Sequence, residues 1–331
     1  MPIITGREKV LGVYEEAARR GWVIPCICSE NLTTTEAILS AASEFAKEKG
    51  YDRIPVTIAI TNQYGHRSQS VFYTHTRRWD IGLKLFRSDV QIVSEAFPNV
   101  DILIHLDHAQ HDSDAELLES DLSIYSSVMY DASALPMEEN ICKTADYVRR
   151  KGHELVIEGA CDEIVDATGE VRCEITDAEK CARYMAETGV DMVVANLGTE
   201  HRASGKDLHY YADAARAIKA KIGPKICLHG TSSVSNDQLK KLFDDGICKV
   251  NIWTALERDS SPALTEFMVK NAALCGGEKT ERKLVDEGFL TEASQTGNRA
   301  SLQHFTTTAR QQIVFEEMKR IVWGYLDLWY I

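Results

Sequence analysis

Short apolar runs rich in β-branched residues alternate along the chain with longer segments whose apolar residues recur at helical spacing. The runs are VIPCIC (23–28), VTIAIT (56–61), DILIHLD (101–107), SVMYDAS (127–133), LVIEGA (155–160), DMVVANLG (191–198), KICLHGTS (225–232) and CKVNIWT (248–254). Strands that alternate with helices indicate βαβ units and a parallel sheet. Eight such units predict an α/β fold of the TIM (β/α)8 barrel type, because the alternative, a doubly wound sheet, rarely needs eight regular repeats.

The segments between the runs carry helix boundary signals. TDAEKCARYMAETG is predicted to begin at an N-cap, Thr176, and to end at Gly189, and NDQLKKLFDDG is a second amphipathic segment. From Glu257 the pattern is helical, with loop-rich stretches at CGGEKTERKLVDEGFL and EASQTGNRASLQ and a closing helix from Thr306 to Ile331. We therefore expect a single barrel domain over 1–331, in which residues 257–331 form extra C-terminal helices packed on the barrel.

The composition excludes several classes of function. The chain has 331 residues, and 50 acidic against 37 basic residues give a net charge of −13, which argues against a nucleic-acid partner. No apolar run approaches the roughly 18 residues that cross a membrane, and the start, MPIITGREKV, lacks the apolar core of a signal peptide. The nine cysteines are scattered without a CxxC pair, which is typical of free thiols in a reducing compartment. We expect a soluble cytoplasmic enzyme.

Polar residues gather at the carboxyl ends of the predicted strands, where a barrel carries its active site. In chain order they are Asp107, His108, Asp131, Glu158, His201, His229, Asn251 and Thr254. One histidine at a strand end usually has a structural role, and we predict such roles for His105 and His111. Three histidines at equivalent strand ends, His108, His201 and His229, instead indicate a metal, because three neutral imidazoles and one open position form a catalytic zinc site.

A second signal is the sequence HGTSS at the end of the seventh run. A Gly-Thr-Ser-Ser turn that leads into a helix offers backbone N–H groups and hydroxyls to an anion. Barrels commonly bind phosphate after strands seven and eight, and NIWT on the eighth run lies beside this turn. A plain turn with a serine cap remains the alternative interpretation.

Five motifs carry a resemblance to a known family. They are HLDH, SVMYDAS, TGVDMVVANLGTEH, LHGTSS and GICKVNIWTALER, and they occur in the family's order and spacing. With these motifs the chain resembles the class II, metal-dependent fructose-bisphosphate and tagatose-bisphosphate aldolases over roughly residues 5–256. The opening VIPCICSENLTTTEAI is similar to the family's first strand and helix.

The resemblance implies a reversible retro-aldol cleavage of a ketose phosphate, or a related sugar derivative, into a ketone like dihydroxyacetone phosphate and an aldehyde. It implies one catalytic zinc ion on His108, His201 and His229, allows a second cation, and makes Asp107 the acid/base at the hydroxyl of the cleaved bond. It places Asp131 near the metal. The residues that it assigns to the substrate and its phosphate are Thr61, Gly230, Ser232, Asn251 and Thr254. Family precedent also implies a homodimer or homotetramer.

The chain departs from the family pattern around the substrate. Ala160 stands where the family has a second glutamate after strand five, and Glu163 or Asp162 could supply the acid/base of the following loop. Arg202 replaces a glycine that lets backbone approach a phosphate, so its charge could bind phosphate or carboxylate there instead. Cys28 replaces an asparagine on strand one, and Trp253 precedes Thr254 where the family often has a small or acidic residue. These changes predict retained chemistry with an altered substrate.

Three alternatives remain open from the sequence. A metal-dependent epimerase or isomerase could use the same site without breaking a carbon–carbon bond. A Schiff-base aldolase could use Lys249, if the pKa of that lysine were lowered. A catalytically degenerate binding subunit is the third alternative, and Ala160 is its main support.

Overall fold

The computed structural model describes residues 2–163, 174–199 and 210–330, and its centre is a closed barrel of eight parallel strands. The strands are β1 (Ile24–Cys28), β2 (Ile54–Thr61), β3 (Val100–Gln110), β4 (Ser127–Asp131), β5 (Val156–Ala160), β6 (Met192–Val194), β7 (Ile226–Leu228) and β8 (Ile247–Ile252). Each strand pairs with the next, and β8 closes on β1 through pairs such as Cys26 with Asn251. Each predicted run overlaps one strand, and the prediction of a TIM (β/α)8 barrel is confirmed.

Helices cover the outside of the barrel and form most of the C-terminal part. They are α1 (Arg7–Arg20), α2 (Leu32–Lys49), α3 (Gln69–Phe72), α4 (Trp79–Ser94), α5 (Ala115–Glu119), α6 (Met137–Lys151), α7 (Ala178–Thr188), α8 (Ala212–Ile222), α9 (Asn236–Leu239), α10 (Leu242–Asp245), α11 (Thr254–Lys270), α12 (Ala272–Gly276), α13 (Glu278–Asp286), α14 (Leu302–Phe305) and α15 (Thr307–Trp329). Two 3-10 turns span Thr231–Ser233 and Glu292–Ser294. No helix in these described ranges combines the length and the apolar composition that crossing a membrane requires.

Three predicted helix features differ from the structure. The N-cap of α7 is Asp177, whose carboxylate accepts the N–H groups of Glu179 and Lys180, while the hydroxyl of Thr176 donates to Asp162. The segment NDQLKKLFDDG forms two short helices, α9 and α10, in place of one.

The third difference is α13, which lies inside a stretch predicted to be loop-rich. Gly277, with φ 81°, separates it from α12, and ion pairs between side chains four residues apart, such as Arg282 with Glu278, support its short length. The glycines indicated a break in the chain, but they did not indicate that a helix resumes directly after it.

The closing helix α15 packs against α2 and α11. It buries Met318, Val322 and Leu326, and Trp323 meets Phe45 of α2 edge to face at 5.2 Å between ring centroids. The indole of Trp329 donates a hydrogen bond of 2.8 Å to the carbonyl of Leu239 beyond β7. The C-terminal helices therefore contact the barrel, while the assignment of 1–331 to a single domain stays a prediction.

The contact between α3 and α4 requires a glycine. A Cβ atom at Gly82 of α4 would lie 1.8 Å from the carbonyl oxygen of Ser70 in α3, which is backbone and cannot rotate away. We expect Gly82→Ala to lower the free energy of unfolding by about 3 kcal/mol, because close-packed backbone must move apart. Urea denaturation of the purified variant measures this change.

Gly12→Ala is the matched control for that variant. Gly12 also lies inside a helix, α1, but a Cβ atom there meets nothing within 4 Å. Alanine has the higher helix propensity, so this control should be as stable as the unmodified protein or up to about 1 kcal/mol more stable. Equal stability of the two variants would contradict the steric explanation.

Candidate active site

Asp107 and His108 face the same cavity although they are neighbours in a strand. Side chains alternate between the two faces of a regular strand, so two adjacent residues should point apart. At His108 the backbone φ is +45°, and the pairing of β3 with β4 shifts register between Leu106 and Ala109. This bulge turns His108 toward the barrel mouth. β3 also continues to Gln110, beyond the end that the sequence predicted.

The orientation of each histidine ring is set by a carboxylate. Nδ1 of His108 lies 2.8 Å from Asp131, and Nε2 of His229 lies 3.2 Å from Glu158. Burial opposes ionisation of both carboxylates, but hydrogen bonds and charges from the histidines, and Lys249 in the case of Glu158, lower both pKa values. Because an ionised carboxylate only accepts hydrogen bonds, each ring carries its proton on the nitrogen that faces its carboxylate.

The two remaining ring nitrogens face one another. Nε2 of His108 and Nδ1 of His229 are 3.1 Å apart in a buried setting. Two lone pairs at that distance repel unless a cation lies beside them. Two nitrogens on one tetrahedral zinc ion are separated by roughly 3.3 Å, given Zn–N bonds of about 2.0–2.1 Å. The pair therefore fits a divalent metal ion.

Asp107 completes this cluster. Ligand atoms of Asp107, His108 and His229 all lie within 4.8 Å of one another. The carboxylate of Asp107 accepts a hydrogen bond of 2.9 Å from Nδ2 of Asn251, and the thiol of Cys28 lies 3.5 Å from its other oxygen. Burial would raise the pKa of Asp107, but the adjacent His108 and the nearby His105 hold it well below its usual range. The geometry suits either a base or a further ligand.

Lys249 lies below this cluster inside the barrel, fully buried. Its ammonium forms an ion pair with Glu158 and lies 3.1 Å from Nε2 of His105. Burial would lower the pKa of Lys249, but interaction with the neighbouring Cys26 and with the Glu158 carboxylate raises it well above its usual value. A Schiff base needs an accessible neutral amine, so this environment argues against the Schiff-base alternative.

His105 and His111 have the structural positions that the sequence predicted for them. The ring of His105 is buried between Ser127, at 2.8 Å from Nδ1, and Lys249. His111 lies just after β3, and its backbone N–H donates to the carbonyl of Asp131. Neither side chain lines the cavity described next.

A cavity of about 610 Å³ opens above the cluster at the carboxyl ends of the strands. Of the residues that the sequence assigned to the substrate, five line it: Thr61, Gly230, Ser232, Asn251 and Thr254. The sixth is Arg202, which, like the predicted ligand His201, lies outside the described residues.

The lining residues differ in how their polar groups are used. The Thr61 hydroxyl donates a hydrogen bond to the backbone carbonyl of Arg67 and accepts one of 3.0 Å from the N–H of Gln69. It therefore stabilises the loop after β2. Oδ1 of Asn251 is buried and has no hydrogen-bond partner in the described part of the chain. Gly230 has φ 69° and begins the 3-10 turn that contains Ser232. Asn251 and this turn are therefore the better placed groups to accept or donate bonds to a substrate.

Asp162 and Glu163, the two candidates for a second acid/base in the loop after β5, differ in their contacts. Asp162 is engaged by Lys180 through an ion pair and by the Thr176 hydroxyl at 2.7 Å. Glu163 is exposed and lines a smaller cavity that it shares with His108. Asp162 lines the same cavity, but its carboxylate is already engaged by two partners, so Glu163 is the more available of the two carboxylates. Ala160 lines the same small cavity.

The sequence did not single out three residues that the structure brings to the mouth. Tyr64 stacks on His108 with ring centroids 4.1 Å apart and an interplanar angle of 2°. Arg67 lines the cavity and pairs with Glu30, which follows β1. All three lie in the loops that follow β1 and β2, at the barrel end that carries the histidines, so the rule that located the histidines could have indicated them.

The comparisons with known proteins agree on one family. A model described as fructose-bisphosphate aldolase class-II matches residues 8–312. A fructose-bisphosphate aldolase of Streptococcus pyogenes serotype M3 is 30% identical over 284 residues, which cover 82% of this chain and 87% of that protein. A probable fructose-bisphosphate aldolase of Bacillus subtilis is 25% identical over 274 residues, which cover 81% of this chain and 87% of that protein.

Solved structures support the same fold. The fructose-bisphosphate aldolase of Campylobacter jejuni superposes with a TM-score of 0.76 at 17% identity, covering 99% of this chain and 95% of its own. The YdjI aldolase of Escherichia coli K12 superposes with a TM-score of 0.66 at 18% identity, covering 96% and 95%.

A closed parallel barrel with a buried cluster of histidine and aspartate at its carboxyl end has the architecture of a TIM-barrel enzyme. The family match extends over nearly the whole chain and includes that cluster. The protein belongs to the class-II fructose-bisphosphate aldolase family. It is an aldolase, a lyase that breaks a carbon–carbon bond.

Proposed function

We propose that the protein is a zinc-dependent aldolase that reversibly cleaves a ketose phosphate into a ketone phosphate and an aldehyde. The observation that supports zinc is the pair of imidazole nitrogens 3.1 Å apart, each on a ring whose proton faces a carboxylate. His108 and His229 would hold the ion, together with the predicted third ligand His201. A divalent ion held there would supply Lewis acidity to the substrate carbonyl and so stabilise the negative charge released by cleavage.

Asp107 takes the proton from the hydroxyl on the carbon that becomes the aldehyde. Its carboxylate is oriented by Asn251 through a bond of 2.9 Å, and it lies at the same mouth as the two histidines. A base in this position removes the proton as the carbon–carbon bond breaks. The unpartnered Oδ1 of Asn251 accepts a second hydroxyl of the ketose.

Two further parts of the site complete the reaction. The turn from Gly230 to Ser232 holds the phosphate of the ketone half through backbone N–H groups and the Ser232 hydroxyl. Glu163 moves the proton on the carbon beside the ketone carbonyl, since Asp162 is engaged by Lys180 and Thr176. The homo-oligomeric state and the cytoplasmic location remain predictions.

Metal removal tests the proposal. Ketose 1-phosphates and ketose 1,6-bisphosphates are incubated with the protein, and the products are followed by NMR. We expect an aldehyde and a ketone phosphate to appear, to be lost after dialysis against a chelator, and to return with Zn²⁺. Turnover that survives chelation would contradict the zinc assignment, and an epimeric ketose without aldehyde would indicate the epimerase alternative.

A further inference from the structure

One wall of the cavity is apolar and lies beside Asp107. Trp253, directly after β8, packs on the buried side chains of Cys26, Cys28 and Ala59 at the ends of β1 and β2. Cys28 and Trp253 both line the cavity, and the Cys28 thiol is 3.5 Å from Asp107. In the proposed reaction Asp107 acts on the aldehyde half, so this wall faces that half of the substrate.

The position of the indole is fixed by a carboxylate. Nε1 of Trp253 donates a hydrogen bond of 2.8 Å to Oε1 of Glu30. The side chain of Glu30 is only 10% exposed. An indole held at both its ring face and its N–H keeps one orientation, so the wall is a fixed feature of the cavity.

The positive charge on this wall is already compensated. Among the described residues that line the cavity, Arg67 is the one lysine or arginine. Its Nε lies 3.1 Å from Glu30, and its Nη2 contacts the second carboxylate oxygen, so the two groups form a two-point ion pair. An anion that approached Arg67 would also meet the Glu30 carboxylate, and the attraction and repulsion would largely cancel.

Glu257 is a further carboxyl group beside the Arg67–Glu30 pair, and it adds no positive charge to the wall. Oε1 of Glu257, one turn into α11, is buried without a hydrogen-bond partner in the described part of the chain. Burial, and then repulsion by Glu30, raise the pKa of Glu257 to about 7. The group is therefore neutral or negative near neutral pH, and either state leaves the wall unsuited to a phosphate.

The turn at Gly230–Ser232 lines another part of the cavity, next to His229, and in the proposed reaction it holds the ketone phosphate. It lies beside the end of β8, where the Thr231 hydroxyl donates to the carbonyl of Asn251. Around Cys28 and Asp107 the lining instead offers an indole, a thiol and an arginine paired with a glutamate, so the two regions differ in what they offer an anion.

We propose that the aldehyde half of the substrate carries no phosphate or carboxylate. The natural ketose then bears its phosphate on the ketone half alone, and the wall of Cys28, Trp253 and the Arg67–Glu30 pair selects for this. The inference rests on the proposed aldolase reaction and adds the class of substrate.

The condensation direction tests this selection. The metal-loaded enzyme is given dihydroxyacetone phosphate with glycolaldehyde, lactaldehyde, glyceraldehyde, glyoxylate or glyceraldehyde 3-phosphate. We expect kcat/KM for the best uncharged aldehyde to exceed that for glyceraldehyde 3-phosphate on the order of 10-fold or more. The opposite order overturns the inference and leaves the aldolase proposal intact, whereas no condensation with any aldehyde overturns both.

The variant Glu30→Gln tests the same selection through a gain of activity toward a phosphorylated aldehyde. Glu30→Gln keeps an oxygen for the Trp253 indole and removes the carboxylate that forms the two-point ion pair with Arg67. The ratio of kcat/KM for glyceraldehyde 3-phosphate over glyceraldehyde should rise about 10-fold, since a guanidinium released from a two-point ion pair can turn both donors to a phosphate. Glu30→Gln combined with Arg67→Met is the matched control and should lose that gain.

The variant has a clear contrary result. A folded Glu30→Gln protein, judged by unchanged thermal unfolding, with no rise in that ratio would overturn the role given to the ion pair. If the variant does not fold, the aldehyde ranking of the unmodified protein decides the inference alone.

Discussion

Replacing Asp107 by asparagine is expected to lower the rate of carbon–carbon bond cleavage by a factor of about 10² to 10⁴, the usual contribution of a general acid or base. Asparagine keeps the shape of the side chain and an oxygen for the bond from Asn251, but it cannot take the hydroxyl proton. Steady-state release of aldehyde from the ketose phosphate measures the effect. Metal content of the variant should remain that of the unmodified protein.

A partial reaction separates this role from general damage to the site. Exchange of hydrogen between deuterated water and dihydroxyacetone phosphate needs the proton transfer assigned to Glu163 but not the one assigned to Asp107. We expect Asp107→Asn to retain this exchange and Glu163→Gln to lose it. Loss of metal from Asp107→Asn would instead make the carboxylate a ligand, and an unchanged cleavage rate would remove Asp107 from the reaction.

Replacing His229 by alanine is expected to abolish metal binding and turnover together. Removing an outer partner of a metal ligand weakens binding by roughly 10–100-fold, and removing the ligand itself should cost more. The variant also leaves Glu158 without its partner at 3.2 Å. Metal content after dialysis and the Co²⁺ absorption spectrum measure binding independently of activity.

His111→Ala is the matched control for this histidine. His111 lies three residues after His108 but outside the cavity lining, so its removal should leave metal content and turnover unchanged. Metal retention by His229→Ala at the level of this control would contradict the site. A loss of metal in both variants would show that general destabilisation, and not loss of a ligand, explains the result.

The sequence alone determined the barrel and the end of it that carries the chemistry. Alternating runs with two different periods define eight strands, and the polar residues that follow them must meet at one mouth because parallel strands end on the same side. His108, His229, Asp107 and Asn251 were located in this way. These features depend on local pattern and on strand direction, which are encoded within short stretches of chain.

Only the tertiary structure decided how those side chains are oriented. The bulge at His108, with φ +45°, reverses the expected direction of its side chain. The sequence HLDH contains no local signal that predicts this bulge. Asp131 and Glu158, which lie on other strands, decide which ring nitrogens of His108 and His229 face each other.

The character of the substrate pocket was also decided by distant contacts. Lys249 is tied to His105 across 144 residues, and Trp253 to Glu30 across 223. Whether an arginine is free to bind an anion or is neutralised by a glutamate depends on which side chains the closed barrel brings within 3–4 Å. Proximity of that kind arises from the packing of the whole chain, so strand patterns locate the mouth but leave its charge undetermined.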